Sequence, residues 1–207
     1  MEKKHLGQNA PKIPIAGSER AELIETIVKE YPFKSILEVA CSYGQNFYTL
    51  SPLFPDVQFV GIDRDQLVVE EGRKILSSRP NVSLSATDAR DLSMFADKSF
   101  DLVVSCAFFL YVWPDDVGPV LSEMFRVAKR KIILMEQHQP HPQDNKNYIG
   151  TYYSFKQKVP GYWLRDYQEL FARYVGDGKV KIRRVPRARF EVEQWKEFAS
   201  LIEVELA

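Results

Sequence analysis

Five short apolar runs, separated by stretches with helical spacing, constrain this chain more than any other feature. Residues 35–40, 57–63, 82–87, 100–106 and 131–137 read as strands. The first, fourth and fifth are near-continuous Ile, Leu and Val without polar alternation, as in strands covered on both faces of a parallel sheet. Between them, residues 66–77 carry Leu67, Val68, Ile75 and Leu76 at helical spacing. Pro119 suits a first helical position ahead of Val120, Leu121, Met124, Phe125 and Ala128. Upstream, Ser18 can cap a helix with Ala21, Leu23, Ile24, Ile27 and Val28 on one face, ended by Pro32. Strand and helix alternating in this way imply right-handed crossovers and a doubly wound α/β sheet with helices on both faces. In such a sheet the ligand sits beyond the carboxyl ends of the strands, where strand order reverses.

The tail departs from this rhythm. Residues 162–174 read as a helix, and residues 179–185 and 199–206 as two strands joined by an irregular stretch, while 138–161, rich in His, Pro, Gln and Tyr, is the least regular insertion. With 207 residues, about 1.4 times a common single-domain length, one domain over 1–207 is expected. Its core spans about 34–137, after an N-terminal helical cap at 1–33 and before the insertion at 138–161 and a C-terminal helix and hairpin at 162–207.

Charge and cysteine usage narrow the function. The 28 basic and 28 acidic residues cancel, which removes the global attraction a nucleic-acid or membrane-surface protein would use, so any anion site must be local. Cys41 and Cys106 stand alone, in no metal-ligand spacing, and suit buried thiols in a reducing cytosol. The first 17 residues lack the apolar stretch of a secretory signal, and the apolar run 102–113 is far short of the ~20 residues that cross a bilayer. A cytoplasmic protein with no membrane partner is the expectation.

The first strand runs into Glu38-Val39-Ala40-Cys41-Ser42-Tyr43-Gly44-Gln45-Asn46, where small residues let backbone approach a ligand and a helix start offers free N–H donors. Asp63 closes the second strand, where an acidic side chain meets ribose hydroxyls. Together they predict a nucleoside ligand. A dinucleotide fingerprint would put Gln45 where a small residue is needed, which argues against a nicotinamide cofactor.

The series Glu38-x-Ala40-Cys41-Ser42-x-Gly44-x-Asn46, Gly61-Ile62-Asp63, Asp88-Ala89 and residues 99–105 (SFDLVVS) resembles the motifs of class I S-adenosylmethionine-dependent methyltransferases, over about residues 34–137. That resemblance implies a mostly parallel seven-stranded sheet ending in an antiparallel hairpin, with S-adenosyl-L-methionine as cofactor. It also assigns roles. The turn bearing Ala40, Cys41, Gly44 and Asn46 would receive the methionine portion, with Glu38 near its amino group. Asp63, followed by Arg64, would bind the ribose, Asp88 and Ala89 the adenine edge, and Cys106 to Phe108 would lie beside the reactive methyl. Ala40 and Ser42 replace two glycines of the family pattern. A Cβ costs about 1 kcal/mol or more if those glycines adopt positive φ, and little if they serve only clearance; tolerance is the expectation.

Methyl transfer from a sulfonium is an in-line displacement that needs alignment above all. The expected activity is transfer to an O or N atom of a small-molecule acceptor. His138 and His141 follow the fifth strand and, with Tyr111, are the candidate catalytic groups; no third ligand makes the two histidines a metal site. Tyr111, Tyr148, Tyr152 and Tyr153 offer aromatic walls. The sequence Ser105-Cys106-Ala107-Phe108 stands where methylases of nucleobase or glutamine amino groups carry an Asn/Asp-Pro-Pro-aromatic motif. The rival readings are an RNA methyltransferase using Lys179, Lys181, Arg183, Arg184, Arg187 and Arg189, and a binding protein that keeps the fold without turnover.

Overall fold

The computed structural model describes residues 18–140, 151–154, 157–160, 163–175, 179–186 and 193–206. In chain order these form α1 (Ser18–Lys29), β1 (Ser35–Val39), α2 (Gln45–Leu50), β2 (Gln58–Asp63), α3 (Gln66–Ile75), β3 (Val82–Ala86), β4 (Phe100–Cys106), a 3-10 turn (Phe109–Tyr111), α4 (Pro114–Val127) and β5 (Ala128–Gln137). Then follow β6 (Thr151–Ser154), β7 (Gln157–Pro160), α5 (Tyr167–Ala172), β8 (Val180–Arg184), α6 (Glu193–Phe198) and β9 (Ala199–Glu205).

Seven strands make one sheet in the order β3-β2-β1-β4-β5-β9-β8. The first five are parallel, whereas β9 runs antiparallel to both β5 and β8. Strand order reverses between β1 and β4, and this places the crevice at the carboxyl ends of those two strands. β6 and β7 pair apart from the sheet as an antiparallel pair within the stretch expected to be irregular.

The period-two alternation of strand side chains separates two cores. Ile36, Leu102, Val104, Ile133 and Met135 face Leu23 and Ile27 of α1 and Phe47 of α2. Leu37, Val39, Val103, Ile132 and Leu134 face Val120 and Met124 of α4 and Phe171 of α5. Truncating one such Leu or Ile to Ala would cost about 2–5 kcal/mol, which is why both faces of β1, β4 and β5 had to be apolar.

Three boundaries differ from the sequence reading. α4 starts at Pro114, after an extended Trp113, with Asp115 and Asp116 in its first turn, so Pro119 lies inside the helix. Pro114 occupies the first position where a missing N–H is harmless, and the paired acids favour the helix N-terminus. The expected helix over 162–174 contracts to α5, because Asp166 caps it by accepting from the N–H groups of Gln168 (3.0 Å) and Glu169 (3.2 Å). Residues 193–198, expected to be irregular, form α6. No helix among the described residues is long and apolar enough to cross a membrane.

Candidate functional site

The crevice is built by the turn from β1 to α2. The Cys41 N–H donates to the Ile62 carbonyl (2.9 Å), which ties the turn to β2, and the Gly44 N–H donates back to the Cys41 carbonyl (2.9 Å). Gly44 has φ 73°, and a Cβ there would meet Leu76 Cδ1 at 2.6 Å. Gly61 underlies the same turn; its Cβ would meet Leu84 Cδ2 at 2.6 Å and Cys41 Sγ at 2.7 Å. Ala40 (φ 58°) and Ser42 (φ 53°) also lie in the left-handed region. Both positions therefore hold a Cβ in a conformation that favours glycine, so more than clearance is at stake and this chain carries the strain. The third member is Ala107 (φ 55°), just beyond β4, whose N–H donates to the Met135 carbonyl (2.9 Å). Strained backbone thus gathers at the ends of β1 and β4.

Asp63 holds the turn from below. Its Oδ2 accepts from the Ser42 N–H and its Oδ1 from the Asp65 N–H, each at 3.0 Å. Its backbone carbonyl accepts from the Thr87 N–H (2.9 Å), bringing the residues after β3 alongside. The result is a cavity of about 290 Å³. Ala40, Asp63, Arg64, Asp88 and Ala89 line one part of it, and Phe108, Tyr111, Val112 and Trp113 another. Far apart in sequence, Asp63 and Asp88 share one wall. Missed by sequence reasoning were Arg90, Trp113 and Asp116. Arg90 Nη2 bonds Asp88 Oδ2 (2.6 Å) and its Nη1 reaches Asp116 Oδ1 (3.0 Å), so a guanidinium spans the mouth. That contact holds the Asp88 carboxyl below its usual range. Trp113 had a visible signal, since it stands two residues after Tyr111 in an aromatic-dense segment.

Glu38, Cys41, Gly44, Asn46 and Cys106 are not among the residues that line the cavity. Glu38 is buried; Asn46 Nδ2 donates to its Oε1 (2.6 Å), while its Oε2 has no partner. Burial pushes its carboxyl up to about 7, against the pull of Arg20 and Asn46. Cys41 and Cys106 are buried and in no disulfide, and burial, with the negative charges of Glu38 and Asp63, pushes the Cys41 thiol far up, so it is no nucleophile.

His138, expected as a catalytic group, lies outside the cavity wall. It is 7% exposed, its Nδ1 accepts from the Tyr167 N–H (3.2 Å), and it faces a separate hollow with Asp166, Gln168 and Glu169. Burial lowers its pKa and favours the neutral acceptor form. The side chain serves α5 instead of the crevice. His141, Tyr148, Arg187 and Arg189 lie outside the described residues, and Tyr152 and Tyr153 fall in β6. Of the basic strand, Arg183 pairs with Glu22 of α1 (2.5 Å) and Arg184 lies over the Phe198 ring (5.8 Å), so both are engaged within the fold. β8 is an edge strand, where exposed cations discourage unwanted pairing. Among the described residues, no group of three or more His, Cys, Asp or Glu is placed to hold a metal.

Residues 36–131 match a family described as methyltransferase domain, the span that carries every motif above. Over those residues, just under half of its length, the chain is similar to that family. Demethylmenaquinone methyltransferase of Staphylococcus aureus is 33% identical over 128 residues, 60% of this chain and 52% of the relative. The chain thus spans about half the length of the curated relatives it matches. Its fold is similar to that of the PH0226 protein of Pyrococcus horikoshii OT3 (TM-score 0.66, 22% identity, 91% of this chain and 90% of that one). It is also similar to magnesium protoporphyrin IX methyltransferase of Synechocystis PCC 6803, solved with S-adenosylmethionine bound (TM-score 0.62, 12% identity, 91% and 78%).

Proposed function

We propose that this methyltransferase moves a methyl group from S-adenosylmethionine to an O or N atom of a small, flat, largely apolar acceptor. One observation carries the reading: Asp63 and Asp88, from the ends of β2 and β3, meet in a cavity whose other part is aromatic. The donor set suits the cofactor. Asp63 would accept from ribose hydroxyls, Asp88 from the adenine amino group, and the unpartnered Oε2 of Glu38 is a buried acceptor suited to an ammonium. When bound, the cofactor supplies an electrophilic methyl on a sulfonium.

The chain's own residues then bind, orient and exclude water. Phe108 and Val112 give the cavity a dry surface, while Tyr111 and Trp113, 51% and 62% exposed, present aromatic surface at its mouth. Holding donor and acceptor in line contributes on the order of 7–11 kcal/mol of the barrier reduction, so no protein nucleophile is required. Tyr111 is the lining group suited to hold or take a proton from an acceptor hydroxyl. A flat acceptor fits the aromatic surface, and the named relatives, a demethylmenaquinone and a porphyrin methyltransferase, support it.

Calorimetric titration with S-adenosylmethionine and S-adenosylhomocysteine tests the reading. The parent should bind at micromolar concentration, about −8 kcal/mol. Asp63→Ala should weaken binding by ten- to a hundredfold, since hydrogen bonds to a charged group contribute about 1.5–3 kcal/mol. Failure of the parent to bind either compound, or equal affinity in the variant, would overturn the assignment. A parent that binds both but transfers no methyl to any of a panel of aromatic hydroxyl and amine acceptors would instead be a binding protein.

A further inference from the structure

β5 is apolar from Ile132 to Met135 and then places Glu136, 0% exposed, at its carboxyl end beneath the aromatic part of the cavity. The mechanism above makes no use of it. Its Oε1 accepts from two successive backbone amides, those of Phe108 (2.7 Å) and Phe109 (2.9 Å). Arg165, 2% exposed, holds the same segment from the other side: its guanidinium donates to the carbonyls of Phe109 and Val112 and, at 3.4 Å, to that of Trp163. The Trp163 N–H closes the bracket on the Leu110 carbonyl (2.9 Å), and the Trp113 and Trp163 rings meet edge to face, with centroids 5.7 Å apart. Residue 165 is itself pinned just beyond the carboxyl end of β5 by a bridge to His138, and its carbonyl accepts from the Gln139 N–H (3.1 Å).

We propose that Glu136 and Arg165 form a buried clamp that sets the position of the Phe108–Trp113 segment, and with it the shape of the acceptor side of the cavity. Both are positioning residues that act through backbone; neither lines the cavity. Burying a carboxyl group and a guanidinium is costly unless their bonding capacity is used; here the guanidinium and one carboxyl oxygen are used on the main chain of one short segment, while Glu136 Oε2 has no partner. The segment needs such support. It opens with Ala107 in the left-handed region, and its 3-10 turn, whose amides and carbonyls lie largely outside the regular ladders, is only three residues long. The clamp touches none of Asp63, Asp88 or the β1–α2 turn, so it separates acceptor geometry from cofactor affinity. Calling this wall the acceptor side rests on the proposed methyl transfer; the clamp itself does not.

Glu136→Gln keeps size and one acceptor oxygen but loses the charge; Arg165→Met keeps length without the donors. Amide hydrogen exchange, tryptophan emission with Trp113→Phe as reference, and S-adenosylhomocysteine affinity are measured on each folded variant. Exchange in peptides covering 107–113 should rise at least tenfold in both variants, with the β1–β2 region unchanged. The Trp113 contribution to emission should shift to longer wavelength, and S-adenosylhomocysteine affinity should stay within about threefold of the parent. Unchanged exchange and emission in both variants would overturn the clamp. So would a uniform rise across the sheet with loss of S-adenosylhomocysteine binding, which would make the pair a general stabilising element. A parent that fails to bind S-adenosylhomocysteine would defeat the functional reading alone, because exchange and emission still judge the clamp. If either variant fails to fold, the other and Arg165→Lys carry the same measurements, with Lys expected to recover part of the protection.

Discussion

Cofactor binding should expel a proton from Glu38, and the amount follows from its surroundings. The side chain is buried on β1 with Asn46 on one carboxyl oxygen and nothing on the other, and burial pushes its pKa up to about 7. At pH 7 the free protein therefore carries about half a proton there, rising to about 0.9 at pH 6 and falling to about 0.1 at pH 8. An ammonium brought against the open oxygen favours the carboxylate and releases what was held. The same linkage weakens affinity about tenfold between pH 8 and pH 6, because the proton must first be removed. Calorimetry with S-adenosylhomocysteine in two buffers of different ionisation enthalpy counts the protons. Glu38→Gln, which cannot titrate, should lose the release and flatten the pH profile of affinity. Since ligand and histidine titrations are common to both proteins, the difference between them isolates Glu38. Equal proton release by parent and variant at pH 6 and pH 7 would refute the placement of Glu38 beside the amino group.

The same burial has a signature in the free protein. The folded pKa of Glu38 lies above its ordinary 4.5, so the native state binds more protons between about pH 4.5 and 7, and stability is lost as pH rises through 7. Urea unfolding should find Glu38→Gln more stable than the parent at pH 8, by at most about 3 kcal/mol, and little changed at pH 5. Gly44→Ala combines a left-handed backbone with a Cβ 2.6 Å from Leu76 Cδ1; a thermal melt should show a loss of about 1–3 kcal/mol, roughly 2–12 °C in Tm. His138→Ala removes the acceptor of the Tyr167 N–H and should cost about 1–3 kcal/mol in urea unfolding, with S-adenosylhomocysteine affinity unchanged. A tenfold loss of affinity at unchanged stability would return His138 to the site.

What was legible in the chain was what a single local pattern could encode. The parallel strands announced themselves because β1, β4 and β5 are sandwiched between two cores and could not alternate with polar residues. The shared location of Asp63 and Asp88 was legible because one ends β2 and the other comes two residues after β3, where topology alone fixes which end of the sheet a residue occupies. α4 was misplaced because two prolines compete for its start, and Pro114 wins on the extended Trp113 before it and the acids after it. His138 is a different case, and His141 lies outside the described residues. The sequence shows that His138 ends a strand, but not that α5, begun by a cap at Asp166, turns back to use its ring as an acceptor. Tertiary partners of that kind have no periodic signature.

The strained turn shows how the two levels meet. Ala40, Ser42 and Ala107 are three of the four non-glycine residues with positive φ among those described, and all three stand at the ends of β1 and β4. A Cβ in that region costs on the order of 1–2 kcal/mol, and the fold bears it because the two bends are tied in place. Hydrogen bonds hold Cys41 to β2, Ser42 to Asp63 and Ala107 to β5. Glycine at these positions would relieve the strain but widen the conformations open to the unfolded chain and to the turn itself. The sequence therefore shows small residues at the turn, the dihedral angles show that it is strained, and the Ser42 N–H ties it to Asp63, the side chain proposed for the ribose. Removing that carboxylate withdraws the acceptor for the nucleoside and frees the Ser42 amide at once, so the loss of affinity in Asp63→Ala should exceed what one ligand hydrogen bond alone supplies.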